Sequence, residues 1–367
     1  MLPTTQAQID KNLQRFLTNA KKRFRMDLIH PILFDSIEEF ILRKGKRIRP
    51  TLMVFSYKGY CASQEHISPS IHYVSSCIEL LHNFMLIHDD IIDRSDLRRG
   101  KPTLHKILRN AARTKDRDKL GSDLGIVAGD IVYALAIDAF LSVKAPPKRK
   151  EKALKYFIKT AVFTAMGEFI DTLYGMDKIE KINEKDVLLN YTLKTAHYTF
   201  DCPLVVGAIL AGAPPKDVHR LSQFGLLMGQ AFQIQDDIIG IFEHQKNIGK
   251  SILSDIEEGK KTILVCHAYH HLKGRQKKSF LSHFSKNHKT YADLKEIKKI
   301  FISCGSLGYS LDAIKIRLDL AEKILYSLSM KPRYVTEIKK SLFKLFAPCD
   351  KIARQHQIIF KNNWISN

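Results

Sequence analysis

The string Asp-Asp-Ile-Ile occurs twice in this chain, at Asp89–Ile92 and at Asp236–Ile239, reading HDDIID in the first copy and QDDIIG in the second. Each copy lies in a stretch whose apolar residues recur at helical spacing. Adjacent carboxylates on an apolar helix face are costly to desolvate unless something positive neutralises them. The fold must therefore bring cations or metal ions to two separate helices. The pattern predicts two walls of one metal-filled site.

Helical periodicity dominates elsewhere, and strand alternation is hard to find. The segment 75–93 carries Ile78, Leu81, Met85 and Ile92 on one face, and 222–242 does the same with Phe224, Leu227, Phe232 and Ile239. A third amphipathic run covers 312–328. Breaks fall at Arg99-Gly100-Lys101-Pro102, Pro146-Pro147 and Gly212-Ala213-Pro214-Pro215. Residues 106–123 are polar and basic and read as a surface excursion, either a charged helix or a mobile loop. No linker forces a split, so the sequence predicts one all-α domain, 1–367, of about ten or more helices.

Hydrophobic residues make up 45% of the chain, enough for a sizeable core. The net charge of +21 favours anionic partners: phosphorylated small molecules, nucleic acid or an anionic membrane surface. Basic runs such as 148–152 and Lys277-Lys278 lack the interleaved aromatics and recognisable module of a nucleic-acid binder, so no nucleic acid is expected. The six cysteines form no CxxC pair, which argues against a zinc knuckle or redox pair and fits a reducing cytoplasm. Cys77 and Cys202 read as core. The polar N-terminus has no signal core, and the longest apolar run, Leu204–Pro214, is well short of the ~20 residues of a spanning helix. No transmembrane segment and a cytoplasmic location are expected.

On a helix Asp89 and Asp93 share one face a turn apart, with Asp90 displaced by about 100°. Stacked carboxylates repel unless cations sit between them. Mg²⁺ suits them, since it takes a few carboxylate oxygens and fills its other positions with water and phosphate oxygens. His82 lies near the same face, and Arg98, Arg99 and Gly100 follow. Metals and paired guanidiniums together suit a polyphosphate. In the second copy Gln233, Asp236 and Asp237 fall on helical steps, and Gly240 stands where a third carboxylate would mirror Asp93. Downstream glycines deliver Lys250 and Lys260 from loops. Lys46 and Arg49 precede both motifs, and Lys194-Thr195 adds a further cation and hydroxyl.

With these segments in view the chain resembles the trans-isoprenyl diphosphate synthases, the polyprenyl synthetase family. GKRIRP at 45–50, ELLHNFMLIHDDIIDRSDLRRGKPTLH at 79–105, AGD at 128–130, KTA at 194–196, GQAFQIQDDIIG at 229–240 and GKSILSDIEEGKKT at 249–262 match in the family's order. The C-terminal hundred residues match only loosely. The resemblance implies the isoprenoid synthase fold, long helices around a central cavity, and a homodimer. It implies condensation of isopentenyl diphosphate with an allylic diphosphate (dimethylallyl, geranyl or farnesyl), with three Mg²⁺ ions when substrate is bound. Lys46, Arg49, His82 and Arg99 fall where the family binds isopentenyl diphosphate. Arg98, Lys194, Thr195, Lys250 and Lys260 fall at the allylic diphosphate, with Gln233 beside them. Asp89, Asp93 and Asp236 fall on the metal ligands, supported by Asp90 and Asp237. Asp89, Asp93, Asp236, Arg98 and Lys194 would carry the chemistry, which is stabilisation of charge on the departing diphosphate.

Three departures stand out. Lys44 replaces the first glycine of the usual GGKR, Gly240 replaces the last aspartate of the second motif, and the 106–123 excursion is longer than in compact members. Phe84 and Met85, just before the first motif, fall at the floor of the family's hydrocarbon pocket. Phe84 lies about 7.5 Å along a helix axis from Asp89, where its ring would block very long chains. The expected product is geranylgeranyl diphosphate, with farnesyl diphosphate second. A terpene cyclase would not need the separate isopentenyl diphosphate site that Lys46, Arg49 and His82 supply. A non-catalytic regulatory or basic binding protein would not need both intact acidic motifs.

Overall fold

The computed structural model describes residues 2–62, 70–243, 259–286 and 288–358. The all-α expectation holds. Among the described residues the only sheet is a hairpin, β1 (Leu97–Arg98) paired antiparallel with β2 (Lys101–Pro102). The chain forms two compact units, each assembled from three segments.

The first unit comprises Met1–Ile158, Pro203–Val218 and Ser329–Glu337. Its helices are α1 (Leu2–Arg23), α2 (Pro31–Leu42), α3 (Ile48–Tyr60), α4 (Ser70–Val74), α5 (Ser76–Ile92), α6 (Leu104–Leu108) and α7 (Arg117–Leu141), followed by the start of α8 (Pro147–Met176). The apolar α10 (Cys202–Ala211) also belongs here from Pro203. Helix α5 is the hub, packing against α1, α2, α3, α4, α6 and α7. Its Cys77, Ile78, Leu80 and Leu81 are at most 1% exposed, which fixes its rotation and hence where its acidic end points. Helix α10 approaches α3 closely. Ser56 donates to the Leu204 carbonyl at 2.6 Å, and a Cβ at Gly207 would lie 2.4 Å from the Met53 carbonyl oxygen.

The 106–123 excursion is shorter than its composition suggests. Its first residues close the buried α6, and its last belong to α7, whose start is capped by Asp116 accepting from the Lys119 amide at 3.0 Å. Only 109–116 lies outside helices. By length and composition α7 is also long and apolar enough to cross a membrane, and 44% of its most apolar window is buried within the protein. The longest uninterrupted apolar run misses this helix because Asp130 and Asp138 interrupt it.

The second unit comprises Lys159–Cys202, His219–Leu328 and Ile338–Asn367. It takes the rest of α8, then α9 (Glu184–Tyr191), which runs on into a π-helical stretch, Thr192–Asp201. Helix α11 (Pro215–Phe242) belongs here from His219. Next come α12 (Ile263–His271), α13 (Gly274–Phe284), α14 (Tyr291–Ser303) and α15 (Ser306–Tyr326); α16 (Pro332–Phe343) belongs here from Ile338, and α17 (Ala347–Gln355) follows. Asn183 and Thr290 open α9 and α14 with reciprocal capping boxes to Asp186 and Asp293. Helix α12 packs on α9 and α15, and α14 packs on α15. The loosely matching C-terminal hundred residues thus supply much of this unit's packing.

A methyl group at position 207 has no space, so Gly207→Ala is expected to destabilise the protein by about 1–3 kcal/mol through overpacking. A thermal melt would show this as a lowered Tm; an unchanged Tm would contradict the close approach of α10 to α3.

Candidate active site

In the first unit the acidic motif occupies the last turn of α5. The helix stops because Arg94 adopts a left-handed conformation, φ 51°. The Arg94 amide donates to the Ile91 carbonyl at 3.2 Å and the Ser95 amide to the Asp90 carbonyl at 2.9 Å, a Schellman termination. The carboxylates therefore sit at the negative end of the helix dipole, where anions are disfavoured. Arg98 compensates. Its Nε donates to Asp90 Oδ1 at 2.8 Å, and its Nη2 donates to Asp89 Oδ2 at 3.0 Å and to Asp90. Asp90 is fully buried and anchors this clamp. Asp89 and Asp93 are half-buried, each presenting a carboxylate oxygen within 4.8 Å of the other's. Two hard oxygen donors at that spacing, at a helix end that repels anions, fit a small divalent cation.

The hairpin β1–β2 aims Arg98. Its two turn residues, Arg99 and Gly100, have φ of 57° and 72°, as a type I′ turn requires. Holding the non-glycine Arg99 there costs about 1 kcal/mol. Arg43 ties the hairpin down by donating to the carbonyls of Arg98 at 3.3 Å and Pro102 at 2.9 Å, and Glu39 grips Arg43 in turn. The Arg99 guanidinium reaches the Arg43 carbonyl at 3.2 Å.

Beside this clamp Arg49 donates to His82 Nε2 at 3.3 Å. His82 is buried. Burial, and then the positive charges of Arg49, Arg99, Arg98 and Arg47, hold its pKa well below the ordinary histidine value, so the ring is neutral. Several guanidinium groups thus surround a neutral ring, a cluster suited to an anion. Lys46 lies exposed in the loop ahead of α3, with Arg49 in that helix's first turn. Between them Arg47 is buried with a left-handed φ of 46°. It is paired with Glu79 and Asp10 and donates to the carbonyls of Ile41 and Arg43.

In the second unit Tyr191 donates to Asp237, and accepts from the Ile263 amide at 3.1 Å. Burial and then Asp237 hold the Tyr191 hydroxyl far above its usual pKa, so it remains a donor. Gln233 Nε2 donates to the other Asp237 oxygen at 3.1 Å, and Thr195 donates to Gln233 Oε1 at 2.6 Å. Asp236 is exposed one position away, and Gly240 is buried. Lys194 pairs with Asp171 at 2.7 Å and with Glu168 at 3.1 Å. Asn190 donates to the remaining Asp171 oxygen at 2.6 Å. Lys194 and Thr195 lie in the π-helical stretch, a rare wide turn often found at functional sites. Close neighbours hold it: a Cβ at Gly167 of α8 would lie 2.4 Å from the Lys194 nitrogen, and one at Gly229 of α11 2.3 Å from Ala196 Cα. Lys260 and Asp237 line one small cavity. Lys250 lies outside the described residues.

The sequence reading did not single out Arg43, Arg47, Glu168, Asp171 or Tyr191. Glu168 and Asp171 carried a usable signal, since an acidic pair at i and i+3 interrupts α8 just as the aspartates interrupt α5. Glu79, within an apolar helix, carried another.

The polyprenyl synthetase family model matches residues 30–301, and the chain belongs to this family. It is thereby a trans-prenyltransferase. It is 35% identical over 253 residues to the geranylgeranyl diphosphate synthase of Sulfolobus acidocaldarius, covering 68% of this chain and 71% of that one. It is 32% identical over 268 residues to the short chain isoprenyl diphosphate synthase of Methanocaldococcus jannaschii, covering 73% and 76%. The fold is similar to that of the Corynebacterium glutamicum geranylgeranyl pyrophosphate synthase complexed with isoprenyl diphosphate and magnesium. That match has a TM-score of 0.83 and 23% identity, over 94% of this chain and 98% of that one.

Tyr191→Phe removes the donor to Asp237 with little change of shape. Loss of such a supporting partner typically costs about 10–100-fold in activity or metal affinity, measurable as turnover against Mg²⁺ concentration; wild-type kinetics would contradict the supporting role. Two depressed histidines contribute a loss of stability as the pH falls. His72, through burial and then Lys58, is held down at about 4, and His82 is also depressed. Below about 6.5 the unfolded chain takes up protons that the folded chain refuses, so stability falls with pH there and is flat with respect to these groups above it. His82→Gln should flatten that fall in a urea titration at several pH values.

Proposed function

We propose that this enzyme condenses isopentenyl diphosphate with an allylic diphosphate to give a short all-trans prenyl diphosphate, principally geranylgeranyl diphosphate. The observation that carries the reading is the end of α5, where Arg98 clamps buried Asp90 together with Asp89, and an Asp93 oxygen lies within 4.8 Å of one of Asp89's. Family membership and the relatives' activities support it.

Asp89, Asp93 and Asp236 are the proposed ligands of three Mg²⁺ ions, with Asp90 and Asp237 as their supports. Carboxylate oxygens are the donors that magnesium prefers. When bound, magnesium ions lower the cost of charge building on a leaving diphosphate. Arg98, Lys194, Thr195, Lys250 and Lys260, with Gln233, hold the allylic diphosphate. Lys46, Arg49, His82 and Arg99 hold isopentenyl diphosphate. The allylic C–O bond breaks and its electron pair leaves with the diphosphate. The double bond of isopentenyl diphosphate attacks the allylic carbon, and the product sheds a proton to the departed diphosphate. Lys194 and Arg98 stabilise that anion as it forms.

Chain length is set by Phe84 and Met85. The Phe84 ring is braced by His88 and Tyr133, each with ring centroids 4.8 Å away. A braced ring makes a firmer floor than a free one. The enzyme acts as a homodimer. Supporting this, α8 exposes Val162, Met166, Phe169 and Leu173, each 49–67% accessible and spaced like a coiled-coil seam. The two units belong to one domain, since the chain passes between them repeatedly and neither is a continuous segment.

Purified protein supplied with isopentenyl and dimethylallyl diphosphates is expected to yield the twenty-carbon product as its major species. Phe84→Ala is expected to lengthen it. Chains beyond twenty-five carbons from the wild type would overturn the product assignment, and an unchanged length in the variant would remove Phe84 as the floor.

A further inference from the structure

One face of the first unit is built for something the reaction does not use. At the end of α1 the chain turns through a single 3₁₀ turn, Met26–Leu28, entered by Arg25 in a left-handed conformation, φ 50°. Met26 is 5% exposed and pins the turn. Its neighbours are displayed outward: Phe24 is 51%, Leu28 66% and Ile29 72% exposed. Lys22 and Arg25 are exposed among them, with Asp27 the one acid in the segment 21–30.

A second element lies alongside. Arg23 is ion-paired with Asp138 in the last turn of α7, and Lys21 with Asp35. One turn beyond Asp138, Leu141 is 50% exposed, and its carbonyl accepts from Lys150 at 2.5 Å. The connection to α8 therefore folds back here, carrying exposed Lys144 and Lys148 on either side of Pro146-Pro147. Large apolar side chains are thus exposed beside lysine and arginine, with the Arg23 guanidinium 4.7 Å from the Phe24 ring centroid, and leaving such apolar surface in water is costly. Neither a solvated basic face nor a buried core explains the combination.

We infer that this face docks on an anionic lipid bilayer. Phe24, Leu28, Ile29 and Leu141 would enter the headgroup boundary while Lys22, Arg25, Lys144 and Lys148 meet lipid phosphates. Neither element suffices alone, because a few shallow apolar side chains bind weakly and reversibly; a second, electrostatic signal makes the attachment stable. The chain's overall charge of +21 adds attraction to a negative surface. The complementarity selects anionic over zwitterionic lipid and makes binding sensitive to salt. The inference does not depend on which prenyl diphosphate the enzyme makes.

The test is sedimentation of the full-length protein with vesicles of phosphatidylcholine, with and without phosphatidylglycerol. Binding is expected only with phosphatidylglycerol and should be released by salt. Leu28→Asp with Ile29→Asp, and separately Lys144→Glu with Lys148→Glu, should each weaken binding about tenfold or more. Both variants should keep the parent's melting curve and its turnover of soluble substrates. Should the first pair misfold, the lysine pair still decides the matter. Equal binding to both vesicle types, binding to neither, or parental binding by a folded variant would overturn the inference. So would lipid-free variants sedimenting as a smaller species, which would make the face a contact between copies of this chain.

Discussion

Carboxylates at the C-terminal end of a helix are opposed twice, once by the loss of water and once by the helix dipole. The end of α5 places three there. Arg98 is the interaction on which the arrangement depends, since it neutralises Asp90 where solvent cannot and holds Asp89 at the same time. Everything around it maintains that position. The type I′ turn aims the guanidinium, Arg43 ties down the hairpin, and Glu39 fixes Arg43. The Asp89 and Asp93 oxygens, within 4.8 Å of one another, are spaced to share a divalent ion.

The second acidic motif meets the same problem with different chemistry. Asp237 accepts from two neutral donors, Tyr191 and Gln233. Neutral donors orient a carboxylate by hydrogen bonding. The buried Gly240 accounts for the missing third, because an aspartate there would need its own compensation inside the unit. The nearby lysine is not idle either. Lys194 is held by Asp171 and Glu168 on a π-helical stretch seated against Gly167 and Gly229.

The helices and both acidic motifs were legible because their signals are local. Period and charge within twenty residues decide them, and α5 and α11 lie where the apolar spacing of Ile78–Ile92 and Phe224–Ile239 puts them. The supports were not legible, because each is a contact between distant parts of the chain. Nothing near Tyr191 in sequence announces Asp237, and nothing near Arg43 announces the carbonyls of Arg98 and Pro102. Arg47 lies in GKRIRP between Lys46 and Arg49, yet it is a buried partner of Glu79. The π-helical stretch has no period of its own to read. The apolar character of α7 was hidden by two aspartates, one of which anchors Arg23.

The proposed catalysis has the carboxylates of the two motifs acting through a divalent cation on a diphosphate. The most direct measurement is product formation from isopentenyl and dimethylallyl diphosphates after exhaustive chelation, followed by readdition of Mg²⁺. No prenyl diphosphate should form in the chelated enzyme, and Mg²⁺ should restore it. Product forming at an undiminished rate without any divalent cation would contradict the account.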